Sequence, residues 1–222
     1  MERIEYGDIS LAILGIGITG FSVAKFLEAQ NTPFVFADTR SEPPLLQEAK
    51  LAYPRAPFVL AKFDELFFNA IGIIVVSPGI PLDTPMLSKA KARGIRLIGD
   101  VTMFFEHAQA PIVAITGTNG KSTVTSLTGE MARRSGRNVR VGGNIGTPML
   151  DLLDKKAELY VIELSSFQLE LAENCPGAVS VILNLTPDHL DRYENFDHYS
   201  IAKQRIFIGA GRAVVNRQDK KT

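Results

Sequence analysis

The sequence predicts an α/β protein made of two parallel-sheet domains in succession, the second of them incomplete. Three observations point there. Short apolar runs alternate with helix-patterned segments along most of the 222 residues, as expected for strands joined by crossover helices. Twice an apolar run ends in a glycine-bearing loop that opens a helical segment, at Gly15–Gly20 and again at Gly117–Gly120. Between the two series lies Ala108-Gln109-Ala110-Pro111, which reads as a linker and sets domains at residues 1–108 and 109–222.

In the first series, Ile9 to Leu14 is a strand and Thr19 to Gln30 a helix. Phe34 to Ala37 follows as a strand ending at Asp38. Ile71 to Val76 is almost wholly apolar, which fits a strand covered on both faces. Thr84 to Arg93 reads as a helix closed by Gly94, Ile95 to Ile98 as a short strand, and Val101 to His107 as a short helix. The second series opens with the strand Ile112 to Ile115 and the helix Ser122 to Ser135, closed by Gly136. Leu159 to Ile162 and Val179 to Leu183 are further buried strands, Ile201 to Phe207 a helix, and Ala213 to Val215 the start of another strand. A sheet that has just begun a strand is not expected to stop at Asn216 to Thr222, so the chain reads as truncated.

Composition narrows the function. The chain is 45% hydrophobic and 22% charged, with 24 basic and 24 acidic residues. A net charge of zero gives no electrostatic footprint for nucleic acid. No apolar run is long enough to span a membrane, and Met1 to Tyr6 lacks a signal-peptide profile. The single cysteine, Cys175, excludes an internal disulfide and a Cys-based zinc site. A cytoplasmic monomer that binds neither nucleic acid nor membrane is expected.

The segment Thr116-Gly117-Thr118-Asn119-Gly120-Lys121-Ser122-Thr123 lies between an apolar strand and a helix. That placement aims backbone N–H groups and a helix N-terminus at an anion. Its glycines let the backbone approach a phosphate, Lys121 can reach the β- and γ-phosphates, and Ser122 can ligate magnesium. The usual motif has one more glycine, at the position held here by Ile115. A turn that merely caps a helix is the alternative.

Gly15-Ile16-Gly17-Ile18-Thr19-Gly20, with Asp38 ending the next strand, fits a Rossmann-like dinucleotide fingerprint. Physically it offers a helix N-terminus to any diphosphate and a carboxylate to any sugar hydroxyl or base edge. A nucleotide-sugar fits equally well, and strand–helix packing alone would also call for the glycines. Ser77-Pro78-Gly79-Ile80-Pro81 either lines a ligand crevice or is a rigid turn. In Gly142-Gly143-Asn144-Ile145-Gly146, Asn144 could bond a ligand, or the stretch ends a strand. Glu163, at a strand end in the same domain as the phosphate loop, could hold magnesium, although a single acidic residue at a strand end is common. His189, in Asp188-His189-Leu190-Asp191-Arg192, could bind a metal or a phosphate, or be solvated. Pattern alone does not single out Lys203.

Together these motifs resemble the Mur ligases, ATP-dependent amino-acid ligases of peptidoglycan precursor synthesis. The phosphate loop has that family's form, without the first glycine. The loops at Gly15–Gly20 and Val75–Pro81, Asn144-Ile145-Gly146, Glu163–Glu170, Asp188–Arg192 and Ala202-Lys203 follow in the same order and favour its D-glutamate-adding branch. The resemblance implies that the first domain holds a UDP-sugar through Ile18, Thr19, Asp38, Thr39, Arg40 and Gly79. Asn144, Ser165, Gln168 and His189 would hold the rest of the substrate, UDP-N-acetylmuramoyl-L-alanine. Gly117, Thr118, Asn119, Gly120, Lys121, Ser122 and Thr123 would bind ATP. Ser122 and Glu163 would serve one magnesium, and His189 with a carbamylated Lys203 a second. Lys121, Glu163, His189 and Lys203 become the catalytic set. The implied reaction makes an acyl phosphate from the substrate carboxylate, which the D-glutamate amine then attacks. Family members carry a third domain that binds the amino acid, so residues 1–222 alone are expected not to complete the reaction. A nicotinamide-dependent oxidoreductase, a regulatory phosphate-loop NTPase, the L-alanine-adding branch and a folate-tailing ligase remain as alternatives.

Overall fold

The computed structural model describes residues 6–222, so the stretch that lacks a leader profile falls mainly outside the described residues. The chain divides into two compact units, Met1–Asp100 and Val101–Thr222.

The first unit alternates strand and helix: β1 (Leu11–Leu14), α1 (Ile18–Ala29), β2 (Val35–Asp38), α2 (Leu46–Ala52), β3 (Phe58–Leu60), α3 (Glu65–Ala70), β4 (Ile73–Val76), α4 (Pro85–Ala92) and β5 (Arg96–Ile98). All pairings are parallel, in the order β3-β2-β1-β4-β5. Ala12, Leu14, Val35, Phe36, Ala37, Ile74 and Val76 are fully buried, because helices cover both faces of such a sheet. The order reverses direction at β1. Leu14 pairs with both Ala37 and Val76, so the loops after β1 and β4 emerge side by side. Open sheets of this kind bind ligands at that point.

The second unit runs α5 (Asp100–His107), β6 (Ile112–Thr116), α6 (Lys121–Arg134), β7 (Val139–Gly143), a 3-10 turn at Met149–Leu152, β8 (Leu159–Glu163), α7 (Ser166–Glu170), β9 (Val179–Ile182), α8 (Phe196–Gln204), a second 3-10 turn at Arg205–Phe207 and β10 (Ala213–Val215). Its sheet is again parallel, ordered β10-β9-β6-β8-β7, with β6 at the centre.

The structure differs from the sequence reading at several elements. The division between units falls at Asp100, ahead of the expected linker, because α5 packs into the second unit. The ring of Phe104 sits 5.2 Å from that of Tyr160, and Thr102 donates to the Leu171 carbonyl at 3.0 Å. Gly142 and Gly143, expected in a loop, belong to β7. Helix α8 starts at Phe196 rather than Ile201, because the Asn195 side chain caps it by accepting the His198 N–H.

Cys175 is fully buried in the second unit, and burial pushes its thiol up to about 12. Thiolates, not thiols, attack disulfide reagents. The native protein is therefore expected to be inert to a thiol-exchange dye at pH 8 and to release one equivalent on denaturation. Rapid labelling of native protein would contradict this burial.

Candidate nucleotide and phosphate site

In the second unit, strand β6 runs into Gly117, whose φ is +154°. A Cβ at Gly117 would lie 3.1 Å from the Leu183 Cβ, so glycine lets the loop press against the end of β9. Gly120 has φ +80° and ends the loop as the N-cap of α6. That helix has no side-chain cap and no acidic residue in its first turn. Its opening N–H groups lack intrahelical partners by geometry, and its dipole favours an anion. Ser122 and Thr123 stand exposed on that turn. Lys121 folds back and donates from Nζ to the Thr118 carbonyl at 3.0 Å.

Strand β8 pairs with β6 so that Glu163 lies opposite Ile115, next to the phosphate loop. The Glu163 side chain is 1% exposed. Its Oε1 accepts from Asn144 Nδ2 at 2.7 Å, while its buried Oε2 has no hydrogen-bond partner. An orphaned buried carboxylate oxygen calls for a cation or donor that the chain does not supply. The Asn144 N–H also donates to the Glu163 carbonyl at 2.9 Å. That double grip needs Gly143, with φ +106°, where a Cβ would fall 2.4 Å from the Glu163 carbonyl oxygen.

Lys203, on α8, is 2% exposed. Its Nζ donates to Thr116 Oγ1 at 3.3 Å and stands 4.9 Å from the Tyr199 ring centre. Burial, reinforced by the charge of Lys121, lowers its amine to about 7, against the opposing pull of Asp188 and Glu163. So Lys121, Glu163, Asp188 and Lys203 share one electrostatic environment.

His189 adopts φ +52°. Its ring lies 4.9 Å from Phe167 and 6.2 Å from Tyr199, and its Nε2 is 3.7 Å from Asp188 Oδ2. Arg192 caps the Phe167 ring at 4.5 Å. Among the described residues, no three His, Cys, Asp or Glu side chains converge into a metal site. Ser165 and Gln168 bond each other as the capping box of α7: Ser165 Oγ accepts the Gln168 N–H at 3.2 Å, and Gln168 Oε1 accepts the Ser165 N–H at 3.0 Å. A Ser-x-x-Gln spacing carries that signal in sequence.

In the first unit, Gly17 caps α1 without a side-chain bond, and Ile18 and Thr19 open the helix, Ile18 72% exposed. Gly20 explains the tight turn: a Cβ there would lie 2.1 Å from the Gly15 carbonyl oxygen. The loops after β1 and β4 meet where Ser77 Oγ donates to the Gly15 carbonyl at 3.4 Å, and Gly79 is exposed just beyond. Asp38 is buried at the end of β2 and already engaged. Oδ2 accepts the Ile16 N–H at 2.9 Å, and both oxygens accept the Arg40 guanidinium at 2.9 Å. Burial works to raise its carboxyl, but the Arg40 side chain and the Ile16 and Arg40 N–H groups outweigh it and hold the group below its ordinary range. Thr39 and Arg40 are exposed beside it.

Sequence reasoning placed Thr116 in the phosphate loop without giving it a role, and missed Tyr199 and Asn184. Thr116 joins Lys203 to the Leu164 carbonyl, to which it donates at 2.7 Å. Tyr199 shares a 3.1 Å hydrogen bond with Thr118 Oγ1. Asn184 bonds the phosphate loop itself at three points.

Comparison with known proteins bears on both units. Residues 10–99 match the Mur ligase MurD-like N-terminal domain, and residues 115–222 match the Mur ligase middle domain. The UDP-N-acetylmuramoylalanine–D-glutamate ligase of Marinobacter nauticus is 51% identical over 207 residues, covering 93% of this chain and 46% of the relative. The ligase of the same name from Pseudomonas putida is 49% identical over the same shares. The chain thus spans about half the length of the curated relatives it matches. Among solved structures, the UDP-N-acetylmuramate–alanine ligase of Thermotoga maritima superposes with a TM-score of 0.56 at 21% identity, covering 96% of this chain and 50% of that one. The UDP-N-acetylmuramate:L-alanyl-γ-D-glutamyl-meso-diaminopimelate ligase from Neisseria meningitides gives 0.57 at 17%, covering 95% and 72%. At those identities the likeness concerns the fold.

Proposed function

The chain belongs to the Mur ligase family, and on that premise we propose that its chemistry is that of the D-glutamate-adding ligases. The curated relatives at about half identity carry that name. The observation that carries the reading is the pairing of an uncapped helix N-terminus after Gly120 with the orphaned Oε2 of Glu163 on the adjoining strand. One suits a polyphosphate and the other the cation that accompanies it.

ATP would lie with its phosphates over Gly117–Thr123, and Lys121 would swing from the Thr118 carbonyl to the β- and γ-phosphates. Magnesium, when bound, would offset the phosphoryl charge; Ser122 and Glu163 suit one ion, and His189 with Lys203 a second. Lys203 suits that task only as an anion. An amine lowered to about 7 is substantially neutral near pH 7 and can add to carbon dioxide, forming a N–C bond and releasing a proton. The resulting carbamate is a carboxylate-type ligand. In the first unit, the open N-terminus of α1 suits the diphosphate of the UDP-sugar. Ile18, Thr19, Thr39, Arg40 and Gly79 would line its site, with Arg40 held by Asp38. Asn144, Ser165, Gln168 and His189 would guide the muramoyl-L-alanine end.

The reaction follows from leaving-group chemistry. The L-alanyl carboxylate attacks the γ-phosphorus, ADP departs, and a poor leaving group becomes phosphate. The amine of D-glutamate then attacks the acyl carbon and expels phosphate. The chain's own groups position the reactants and balance charge.

A thermal-shift panel tests this. ATP with magnesium and UDP-N-acetylmuramoyl-L-alanine are each expected to raise the melting temperature; ligand at about 100 times its Kd stabilises by roughly 2.7 kcal/mol. A shift with NAD and none with any uridine ligand would replace the reading with an oxidoreductase.

A further inference from the structure

We propose that Asn184 is a positioning residue that latches the phosphate loop in its anion-receiving shape. The proposal rests on the nucleotide reading above and adds a residue to it. Asn184 follows β9, on the neighbour strand of β6. Its side-chain amide meets one loop residue on both backbone groups: Asn119 N–H donates to Oδ1 at 2.9 Å, and Nδ2 donates to the Asn119 carbonyl at 2.9 Å. Its own carbonyl accepts the Thr118 N–H at 2.9 Å. The amide can sit only one way round, because a flip would set donor against donor and acceptor against acceptor.

The consequence is geometric. The Asn119 N–H belongs to the peptide before that residue and its carbonyl to the peptide after it. Holding both fixes two successive peptide planes, just ahead of Gly120 with its φ of +80°. Neither plane can flip without breaking a bond to Asn184. The N–H groups of Thr118 and Asn119 are thereby occupied, and those opening α6 are the ones left to face an anion. Gly117 makes the approach possible, since a Cβ there would crowd Leu183 at 3.1 Å and the Asn184 backbone at 3.4 Å. Thr118 Oγ1 adds a second stitch to the same segment, donating to the Thr186 carbonyl and accepting its N–H, both at 3.1 Å. A pre-shaped cradle spares the ligand the ordering of the loop.

Two substitutions test the latch. Asn184→Ala removes both side-chain bonds without adding charge. Asn184→Asp keeps the shape and the acceptor for Asn119 N–H but sets a carboxylate oxygen against the Asn119 carbonyl. Titration calorimetry of a non-hydrolysable ATP analogue with magnesium is expected to show binding weakened roughly 10- to 100-fold by Ala, as for other lost orienting partners, and at least as much by Asp. UDP affinity, read on the first unit, should stay within about twofold on the same grounds of independence between distant sites. Cys175 protection from a thiol dye reports whether the second unit remains folded. Wild-type affinity in the Ala variant, or recovery in the Asp variant, would overturn the latch in favour of no role or of packing alone. Exposure of Cys175 in both variants would also overturn it, making Asn184 a structural residue. A wild-type protein that binds no ATP analogue would instead refute the nucleotide reading, and the latch with it.

Discussion

Replacing Lys203 with methionine is expected to stabilise the second unit while abolishing its response to ATP and magnesium. Lys203 is 2% exposed, and among the described residues its amine makes one hydrogen bond, to Thr116 Oγ1. Its amine lies at about 7 in the folded chain against an ordinary 10.5, first because of burial and then because of Lys121. Below pH 7 the group is protonated folded and unfolded, so the fold carries a buried cation. Between about 7 and 10.5 the unfolded chain binds a proton that the folded chain does not, so stability rises with pH through that window. At about 1.4 kcal/mol per pKa unit, the buried charge costs on the order of 3 kcal/mol or more at pH 6. Methionine fills similar volume without the charge. Urea unfolding, followed by Cys175 labelling, should find Lys203→Met more stable at pH 6 and the advantage fading towards pH 10. A wild-type protein at least as stable at pH 6 would disprove the cost. An ATP–magnesium shift that survives the substitution would remove Lys203 from the site.

Gly20→Ala should severely destabilise the first unit. The added Cβ would sit 2.1 Å from the Gly15 carbonyl oxygen, a backbone atom that cannot rotate away. Helix α1 would have to lift from β1, exposing Ala24 and Leu27, which are now buried. Overpacking against backbone puts the loss at roughly 3 kcal/mol or more. Binding of UDP should fall with it, while the ATP–magnesium response of the second unit stays. Gly17→Ala is the control, because a Cβ there meets nothing within 4 Å. Equal stability of the two variants would refute the close-packing account.

The sheet centres were legible in sequence because a strand covered on both faces must be apolar throughout. Ile73–Val76 and Ile112–Thr116 need no partner information to be recognised. The short elements α2, β3 and α3 were not. They span only seven, three and six residues, and too few turns or alternations fit in such lengths to show a period. Helix α8 was legible only in part, since its start depends on the Asn195 cap and not on apolar spacing. The capping box of α7 was present in the sequence, but Ser165 and Gln168 were read as ligand contacts alone.

The glycine positions, the lysine of the phosphate loop and the carboxylates at strand ends are local facts. Each follows from backbone geometry next to a strand or helix terminus, which is why the sequence alone determined two glycine loops at strand–helix junctions on two parallel α/β sheets. The tertiary structure decided which side chains are already committed. It paired Asp38 with Arg40, bound Asn144 to Glu163, left one Glu163 oxygen unsatisfied, buried Lys203 beside Thr116 and set Asn184 against the phosphate loop. Those pairings join residues from 2 to 87 positions apart. Hydrogen bonding and desolvation act at a few ångströms, so which groups meet, and which are left without a partner, is settled only when the strands come into register.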